Sequence, residues 1–341
     1  MLAAILRSSD RFRRSVGLAL DHMYIVPLET VWEAILSEPG FTLRRYGVAE
    51  PHLSPVLVVP APIKRPYIFD LLPSVSVVQR LLEAQFSVYV MDWREAPQAD
   101  WGLAEYAGAW ISNALAAIAK RHASKPVLIG HSIGGTFAAI FAACEPDRAK
   151  KLLLVAAPLR FGVEAGSFAL IVSGSLSALT LAELFEGVPG SLLDVASCAG
   201  APEEFIAGRW QDAFASLLEP EAILVHQRVV RWTLDEFAQP ARLFAEIVEQ
   251  LYRADAFARG ELRLAGQTAP PAALTELPIA TVIDKTSRVV PPASSLAPLS
   301  KPAVFTYVPE VGVALQHVGP LVGRRAHREL WPRLLEWMKA S

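Results

Sequence analysis

The sequence predicts an α/β protein with a doubly wound, mostly parallel sheet that is interrupted by an inserted helical cap. Short apolar runs alternate with longer segments whose apolar residues recur at helical spacing, a pattern typical of parallel strands joined by crossover helices. The alternation stops between residues 160 and 275 and then resumes. We therefore expect an N-terminal helical segment over 1–40, a core over 41–159 and 276–341, and a cap or lid over 160–275.

The core elements follow from the spacing of apolar residues. Short apolar runs predict strands, over 55–59, 86–91, 126–129, 152–155, 279–283 and 303–308. Longer periodic segments predict helices, over 71–84, 103–122, 134–144 and 322–339. The uncharged stretch 165–182 has nearly the length of a membrane span, but its serines, threonine and glycines favour a buried or lid helix. We therefore expect no transmembrane segment.

Composition and charge limit the class of protein. The chain has 341 residues, of which 52% are hydrophobic, so it can bury a sizeable core. A net charge of −2 argues against a nucleic-acid partner, which would require a clustered basic excess. The two cysteines, Cys144 and Cys198, can form at most one disulfide, and we interpret both as reduced thiols of a cytoplasmic protein. The N-terminus lacks the apolar region and cleavage site of a signal peptide.

The strongest local signal is a G-x-S-x-G box, Gly130-His131-Ser132-Ile133-Gly134, which lies directly between a predicted strand and a predicted helix. This is the context of the nucleophile elbow in the α/β-hydrolase fold, where a sharp turn lifts the serine hydroxyl out of the sheet. Ser132 is therefore the predicted covalent nucleophile, and the Ile133 N–H is predicted to face the oxyanion. We interpret His131 as a structural residue that flanks the site.

The general base is expected on a loop between the last strand and the closing helix, because the catalytic triad of this fold follows the chain order Ser, acid, His. His317, in Gln316-His317-Val318-Gly319, is at that place. His327 lies within the closing helix, at a spacing that predicts a surface position. His317 is therefore the predicted base.

The orienting acid is expected in the loop that follows the strand over 279–283. Common members of this fold carry Gly where this chain has Asp284, and Asp where it has Ser287. Asp284 is the only carboxylate of the loop, so it is the predicted acid, displaced by three residues. Two alternatives stay open: Asp284 is a turn residue or pairs with Arg288, or the acid is Asp92, which follows an earlier strand.

The second oxyanion donor of this fold is a backbone N–H in the loop after the equivalent of the strand over 55–59. Pro60 and Pro62 have no N–H, which leaves Ala61 or Ile63, and Ile63 is the predicted donor with Ile133.

Several segments of the chain resemble the polyhydroxyalkanoate synthases. They are the loop after the first core strand (58–71), the next strand end (88–93), the return from cap to core (232–235, 251–252 and 260–262), and the loops of the acid and the histidine (289–292 and 316–319). The resemblance implies acyl transfer to a hydroxyl group from a hydroxyacyl thioester of coenzyme A or an acyl carrier protein. The chain length is similar to that of the two-subunit class, which implies a homo-oligomer or a second synthase-type subunit, in the cytoplasm or at a granule or lipid surface. Lys64 and Arg65 would then either attract the anionic carrier or be solvated surface cations.

Two residues depart from the synthase pattern. Those synthases carry Cys where this chain has Ser132, and Asp where it has Ser287. An acyl group on Ser132 is an oxygen ester, which is lower in energy than a thioester. Water therefore competes strongly with an alcohol for it, unless the cap keeps the site dry.

The sequence thus predicts a serine acyltransferase in which Ser132 attacks, His317 moves the proton and Asp284 orients His317. The mechanism uses neither a cofactor nor a metal ion. The first alternative is a hydrolase of the same fold, either a thioesterase, an esterase or a polyhydroxyalkanoate depolymerase. The second is a non-catalytic, synthase-like subunit, for which the displaced acid is the one supporting feature.

Overall fold

The computed structural model describes residues 2–48, 50–162, 166–174, 177–178, 180, 185 and 187–340. Within these ranges the strands are β1 Trp32–Ser37, β2 Phe41–Tyr46, β3 Ser54–Val59, β4 Phe86–Trp93, β5 Val127–His131, β6 Lys151–Val155, β7 Arg263–Leu264, β8 Gln267–Thr268, β9 Ile279–Asp284 and β10 Ala303–Tyr307. The α-helices are α1 Leu2–His22, α2 Val77–Glu83, α3 Trp110–Ala119, α4 Ile133–Cys144, α5 Ser167–Gly174, α6 Gly190–Gly200, α7 Gly208–Ser216, α8 Pro220–Thr233, α9 Ala241–Glu246, α10 Pro292–Leu296, α11 Gly319–Val322 and α12 Trp331–Lys339.

Eight strands form one sheet in the order β1-β2-β4-β3-β5-β6-β9-β10. The pairs from β4 to β10 are parallel, and β1 and β2 pair antiparallel at one edge. The predicted α/β-hydrolase fold, with its mostly parallel sheet, is confirmed. Because parallel strands end at the same edge of the sheet, the loops that follow β3, β5 and β9 open on one side of the molecule.

Both faces of the sheet are covered, as the alternation of the central strands requires. Leu57 and Val59 of β3 pack in one apolar cluster with α3 and α4. Val56 and Val58 belong to a second cluster, with α2, α11 and α12. Each of these four side chains is fully buried. A parallel strand with two buried faces has a continuous run of apolar residues in its sequence, and the core strands could be predicted for this reason.

The antiparallel edge was not predicted. β1 lies within the segment expected to be helical over 1–40, whose helix ends at His22, and β1 belongs to the core sheet. β2 contains Arg44, whose side chain is buried and forms ion pairs with Glu29 and Asp92, at 2.8 and 2.6 Å. An edge strand with exposed residues and a strand with a paired, buried arginine lack the apolar pattern that predicts strands.

His327 is a second difference from the sequence prediction. Its side chain is buried, and its Nε2 lies 2.8 Å from the Leu321 carbonyl oxygen. The closing helix is not one continuous α-helix, because a π-helical turn over Ala326–Leu330 precedes α12. His327 lies four, seven and eleven residues before the buried Trp331, Leu334 and Met338, and this helical spacing places it on the buried face of the closing helix, so the predicted surface position is wrong.

The chain between β6 and β9 contains α5 to α9 and a hairpin of two short strands, β7 and β8, each of two residues. Helix α1 docks on it through polar contacts: Arg13 pairs with Glu236 at 2.6 Å, and Arg231 pairs with Asp21 at 2.7 Å. The uncharged stretch over 165–182 is only partly within the described residues, where α5 accounts for eight of its positions. Among the described helices, none combines the length and hydropathy that crossing a membrane would require. Cys144 and Cys198 are unpaired and half-buried.

Candidate active site

The nucleophile elbow connects β5 to α4. Ser132 has a φ of 55° and a ψ of −136°, an unfavourable conformation for a residue with a side chain. A Cβ on Gly134 would lie 2.4 Å from the backbone of Pro60, and a Cβ on Gly130 would lie 2.3 Å from the Cα of Gly135. The glycines of the box are therefore required by close backbone packing around a strained serine, as the elbow demands.

The structure brings the predicted nucleophile and base together. His317 lies in a short turn between β10 and α11, and its Nε2 is 2.9 Å from the Oγ of Ser132. Both side chains keep part of their surface open toward a shared cavity. This is the geometry in which an imidazole can accept the serine proton during attack.

The other nitrogen of His317 has a different environment. Among the described residues, its Nδ1 is buried and has no hydrogen-bond partner. The ring of His131 lies beside the ring of His317, with centroids 4.9 Å apart. Burial, together with the neighbouring His131, lowers the pKa of His317 to about 3, so the ring is a neutral base at physiological pH.

Asp284 is at the end of β9, but the predicted contact between its carboxylate and His317 is not formed. Its Oδ1 accepts hydrogen bonds from the N–H and the Oγ1 hydroxyl of Thr286, at 2.8 and 2.7 Å. Arg288 does not pair with Asp284, since its guanidinium contacts Glu203 and its N–H donates to Glu204 at 3.0 Å. The carboxylate therefore closes a turn within its own loop, which the sequence analysis left open as an alternative.

Asp92, the second candidate for the acid, is also engaged elsewhere. Its Oδ2 accepts from Nε and Nη2 of Arg44, at 3.0 and 2.6 Å, and its Oδ1 is 3.7 Å from Arg65. No hydrogen bond joins Asp92 to His317 among the described residues. The contact between His131 and His317 was not predicted from the sequence. The one sequence signal for it is that His131 directly precedes the serine.

A cavity of about 390 Å³ lies above Ser132 and His317. Ile133 and Ile63, the predicted oxyanion residues, both line it. The part of its wall that comes from the cap is mainly apolar and includes Phe168, Leu192, Leu193, Phe205, Phe244 and Ile247. The cavity is suited to an apolar acyl chain that ends at the serine hydroxyl.

Lys64 lines the same cavity but is not a free cation. Its Nζ contacts Glu236 and donates to the Thr233 carbonyl oxygen at 3.0 Å. Arg65 lies over the Phe237 ring, 5.4 Å from its centroid. The paired Lys64 therefore does not support the expectation that it attracts an anionic carrier.

Comparisons with known proteins show the family to which the chain belongs. Residues 56–326 match the model of the alpha/beta hydrolase family. The chain is 29% identical over 287 residues to the poly(3-hydroxyalkanoate) polymerase subunit PhaC of Haloferax mediterranei. The aligned region covers 83% of this chain and 58% of that protein, so the chain spans less than two thirds of this relative. It is 25% identical over 312 residues to the PhaC subunit of Thiocystis violacea, covering 90% of this chain and 87% of that protein.

Solved structures share the fold at lower sequence identity. The 2-hydroxy-6-oxo-6-phenylhexa-2,4-dienoate hydrolase of Rhodococcus sp. strain RHA1 is 15% identical with a TM-score of 0.55, covering 92% of this chain and 99% of that chain. The enol-lactonase of Burkholderia xenovorans LB400 is 13% identical with a TM-score of 0.54, covering 91% and 100%. The family match extends over most of the chain and includes the elbow. The chain is therefore a member of the alpha/beta hydrolase family, similar to the PhaC subunits of polyhydroxyalkanoate polymerases.

Proposed function

We propose that this protein is an acyltransferase that acts on hydroxyacyl thioesters through an acyl-enzyme on Ser132. The hydrogen bond between Ser132 and His317, made within an apolar cavity, is the observation that supports the proposal most directly. Similarity to PhaC subunits over most of the chain favours transfer of the acyl group to a hydroxyl group.

The steps follow from the positions of the side chains. Ser132 Oγ attacks the thioester carbonyl while His317 Nε2 accepts the hydroxyl proton. The negative oxygen of the tetrahedral intermediate accepts hydrogen bonds from the N–H groups of Ile133 and Ile63. The thiolate leaves and takes the proton from His317, which leaves an ester on Ser132. An acceptor alcohol then gives its proton to His317 and attacks that ester. The bond between the acyl carbon and Ser132 Oγ breaks, and Oγ takes the proton back from His317, which restores the free serine and the neutral base.

Hydrolysis is the second candidate, and the identity of the nucleophile favours it. The ester on Ser132 lacks the energy of a thioester, so transfer to an alcohol is nearly thermoneutral and water is a strong competitor. The apolar cap wall favours the alcohol, because it limits the access of water to the acyl-enzyme.

Mass spectrometry of the intact protein tests both candidates. After incubation with a short hydroxyacyl-coenzyme A, we expect one added acyl group, located on Ser132 by peptide mapping and absent from Ser132→Ala. Product analysis with and without an added alcohol then gives the ester-to-acid ratio. Free acid as the only product would replace the transferase by a hydrolase, and no acylation of the wild-type protein would favour a non-catalytic subunit.

Ser132→Cys separates the two candidates further. Sulfur adds little volume, and a thiol beside His317 ionises more readily than a hydroxyl, so we expect the variant to remain acylated by thioesters. Its acyl-enzyme is a thioester, which should shift the product from free acid toward ester. A variant that is acylated but releases only free acid would indicate a site that is open to water.

A further inference from the structure

A histidine that activates a serine must keep its proton on Nδ1, so that Nε2 is free to accept the serine proton. Triads achieve this with a carboxylate that accepts from Nδ1. Here Nδ1 of His317 has no partner among the described residues, and the carboxylate of Asp284 is engaged with Thr286. His317 must therefore be held in place by other contacts.

His131 makes two such contacts with His317. Its Nε2 lies 3.2 Å from the carbonyl oxygen of His317, and the two rings lie at 4.9 Å with an angle of 42°. A carbonyl oxygen can only accept, so the Nε2 of His131 must carry the proton. One side chain thus fixes both the backbone and the ring of the base.

His131 is itself firmly positioned. It is the last residue of β5, in register with Val155 of the neighbouring strand, and its side chain is buried. The ring of Phe69 packs edge-on against it, with centroids 6.1 Å apart. Burial lowers the pKa of His131 to about 4, so it stays neutral, and no second imidazolium competes with the one that His317 forms during catalysis.

We propose that His131 is a positioning residue for the general base, and that it holds His317 against Ser132 in place of a carboxylate. This inference rests on the proposed acyl-enzyme function of Ser132. It gives a role to a residue that the sequence analysis interpreted as merely flanking the site.

His131 holds the ring of His317 in position, but it does not touch Nδ1 and so does not fix the tautomer. Proton transfer from Ser132 should then be slower than in a complete triad. Ser287 stands where common members of the fold carry the acid, and its Oγ accepts from the N–H of Val290, a cavity residue, at 3.1 Å. We therefore expect aspartate at 287 to supply a carboxylate for Nδ1.

The rate at which a fluorophosphonate labels Ser132 tests the proposal without any assumption about the acyl substrate. His131→Met removes the hydrogen bond and the aromatic ring. His131→Gln keeps an N–H donor for the His317 carbonyl. His327→Met is a matched control, because His327 is also buried, lies 2.8 Å from a backbone carbonyl through Nε2 and stacks on an aromatic ring, that of Trp331.

We expect His131→Met to lower kinact by about 10- to 100-fold with KI unchanged, since a small displacement of the base is costly. His131→Gln should recover most of that loss. His327→Met should lower the Tm to a similar extent without changing kinact. Normal kinact in His131→Met, an equal loss in His131→Gln, or an equal loss in His327→Met would overturn the proposal.

Ser287→Asp gives an independent test that keeps His131 in place. If Nδ1 has no carboxylate partner, adding one should raise kinact by about 10-fold or more. An unchanged or lower kinact in the folded variant would contradict the proposal. Wild-type protein that is labelled at Ser132 but not acylated by thioesters would remove the proposed function alone, whereas absence of labelling would remove the base and its positioning residue together.

Discussion

The two halves of the candidate site are built differently. The nucleophile half, from β5 through the elbow to α4, is enclosed by backbone packing that leaves no room for a side chain at Gly130 or Gly134. The acid half, the loop after β9, bends back on itself through Asp284 and Thr286 and is tied to the cap through Glu203 and Glu204. A chain of this fold can therefore keep the strained elbow and the base while its acid loop takes a different arrangement.

The largest expected effect is loss of the base. His317→Gln should lower kcat for thioester acylation by about 10⁴-fold or more, because removing a base that acts as a unit with its nucleophile removes most of the chemical step. Single-turnover acylation by mass spectrometry is the measurement. Activity close to that of the wild type would mean that the nucleophile half functions without His317, and the comparison of the two halves would lose its basis.

The packing of the elbow is tested by Gly134→Ala. The new Cβ would meet the backbone of Val59 and Pro60 at 2.4 Å, so we expect the free energy of unfolding to fall by about 3 kcal/mol. Gly108→Ala is the control, because its Cβ would lie 3.9 Å from Leu264, an ordinary contact, and should change stability by at most about 1 kcal/mol. Equal denaturant midpoints for the two variants would show that the elbow tolerates rearrangement.

No described residue accepts a hydrogen bond from Nδ1 of His317, and this should appear in the pH dependence of stability. Burial lowers the pKa of His317 to about 3, whereas the pKa of an unfolded histidine is about 6.5. Below that pH the unfolded chain binds the proton first, so this contribution to stability is complete above pH ~6.5 and is lost as the pH falls toward the folded value.

Between pH 7 and 5 the wild type should therefore lose about 2 kcal/mol more than His317→Gln, as measured by denaturant unfolding at each pH. A carboxylate partner would raise the pKa of His317 and remove this difference. Identical pH profiles for the two proteins would thus indicate that the acid half is complete in solution.

The smallest effect is expected for Asp284→Asn. In a triad with a functional acid, the equivalent change lowers kcat by about 10⁴-fold. Here we expect a change of no more than about 3-fold, because within the described part of the chain the carboxylate accepts from Thr286 alone and its loss affects a turn. Steady-state kcat for thioester turnover is the measurement. A loss of several orders of magnitude would restore Asp284 as the orienting acid and require the loop to rearrange during catalysis.

The features that could be predicted from the sequence are those that a short local pattern of residues determines. The G-x-S-x-G box and the buried parallel strands were predictable, because glycine packing and continuous apolar runs leave clear patterns. The strand with the buried Arg44 was not, since its ion pairs with Glu29 and Asp92 come from distant segments. The place of Asp284 could not be derived either, because the choice between a turn and a contact with His317 depends on three-dimensional geometry.

The ion pairs of Glu236 have a consequence for how a substrate enters. Glu236 contacts Lys64, in the loop of the predicted oxyanion donor, and Arg13 in α1, and all three side chains are largely shielded from water. Lifting the cap as a rigid lid would separate these charges and break the hydrogen bonds that Lys64 and Arg13 donate to the Thr233 carbonyl oxygen, at 3.0 and 2.7 Å. Entry by such a movement would require all of these contacts to break together, whereas an acyl chain that threads between cap side chains would leave them in place. Because Glu236 holds these contacts, the rate at which a substrate enters depends on the cap and not on the chemistry at Ser132.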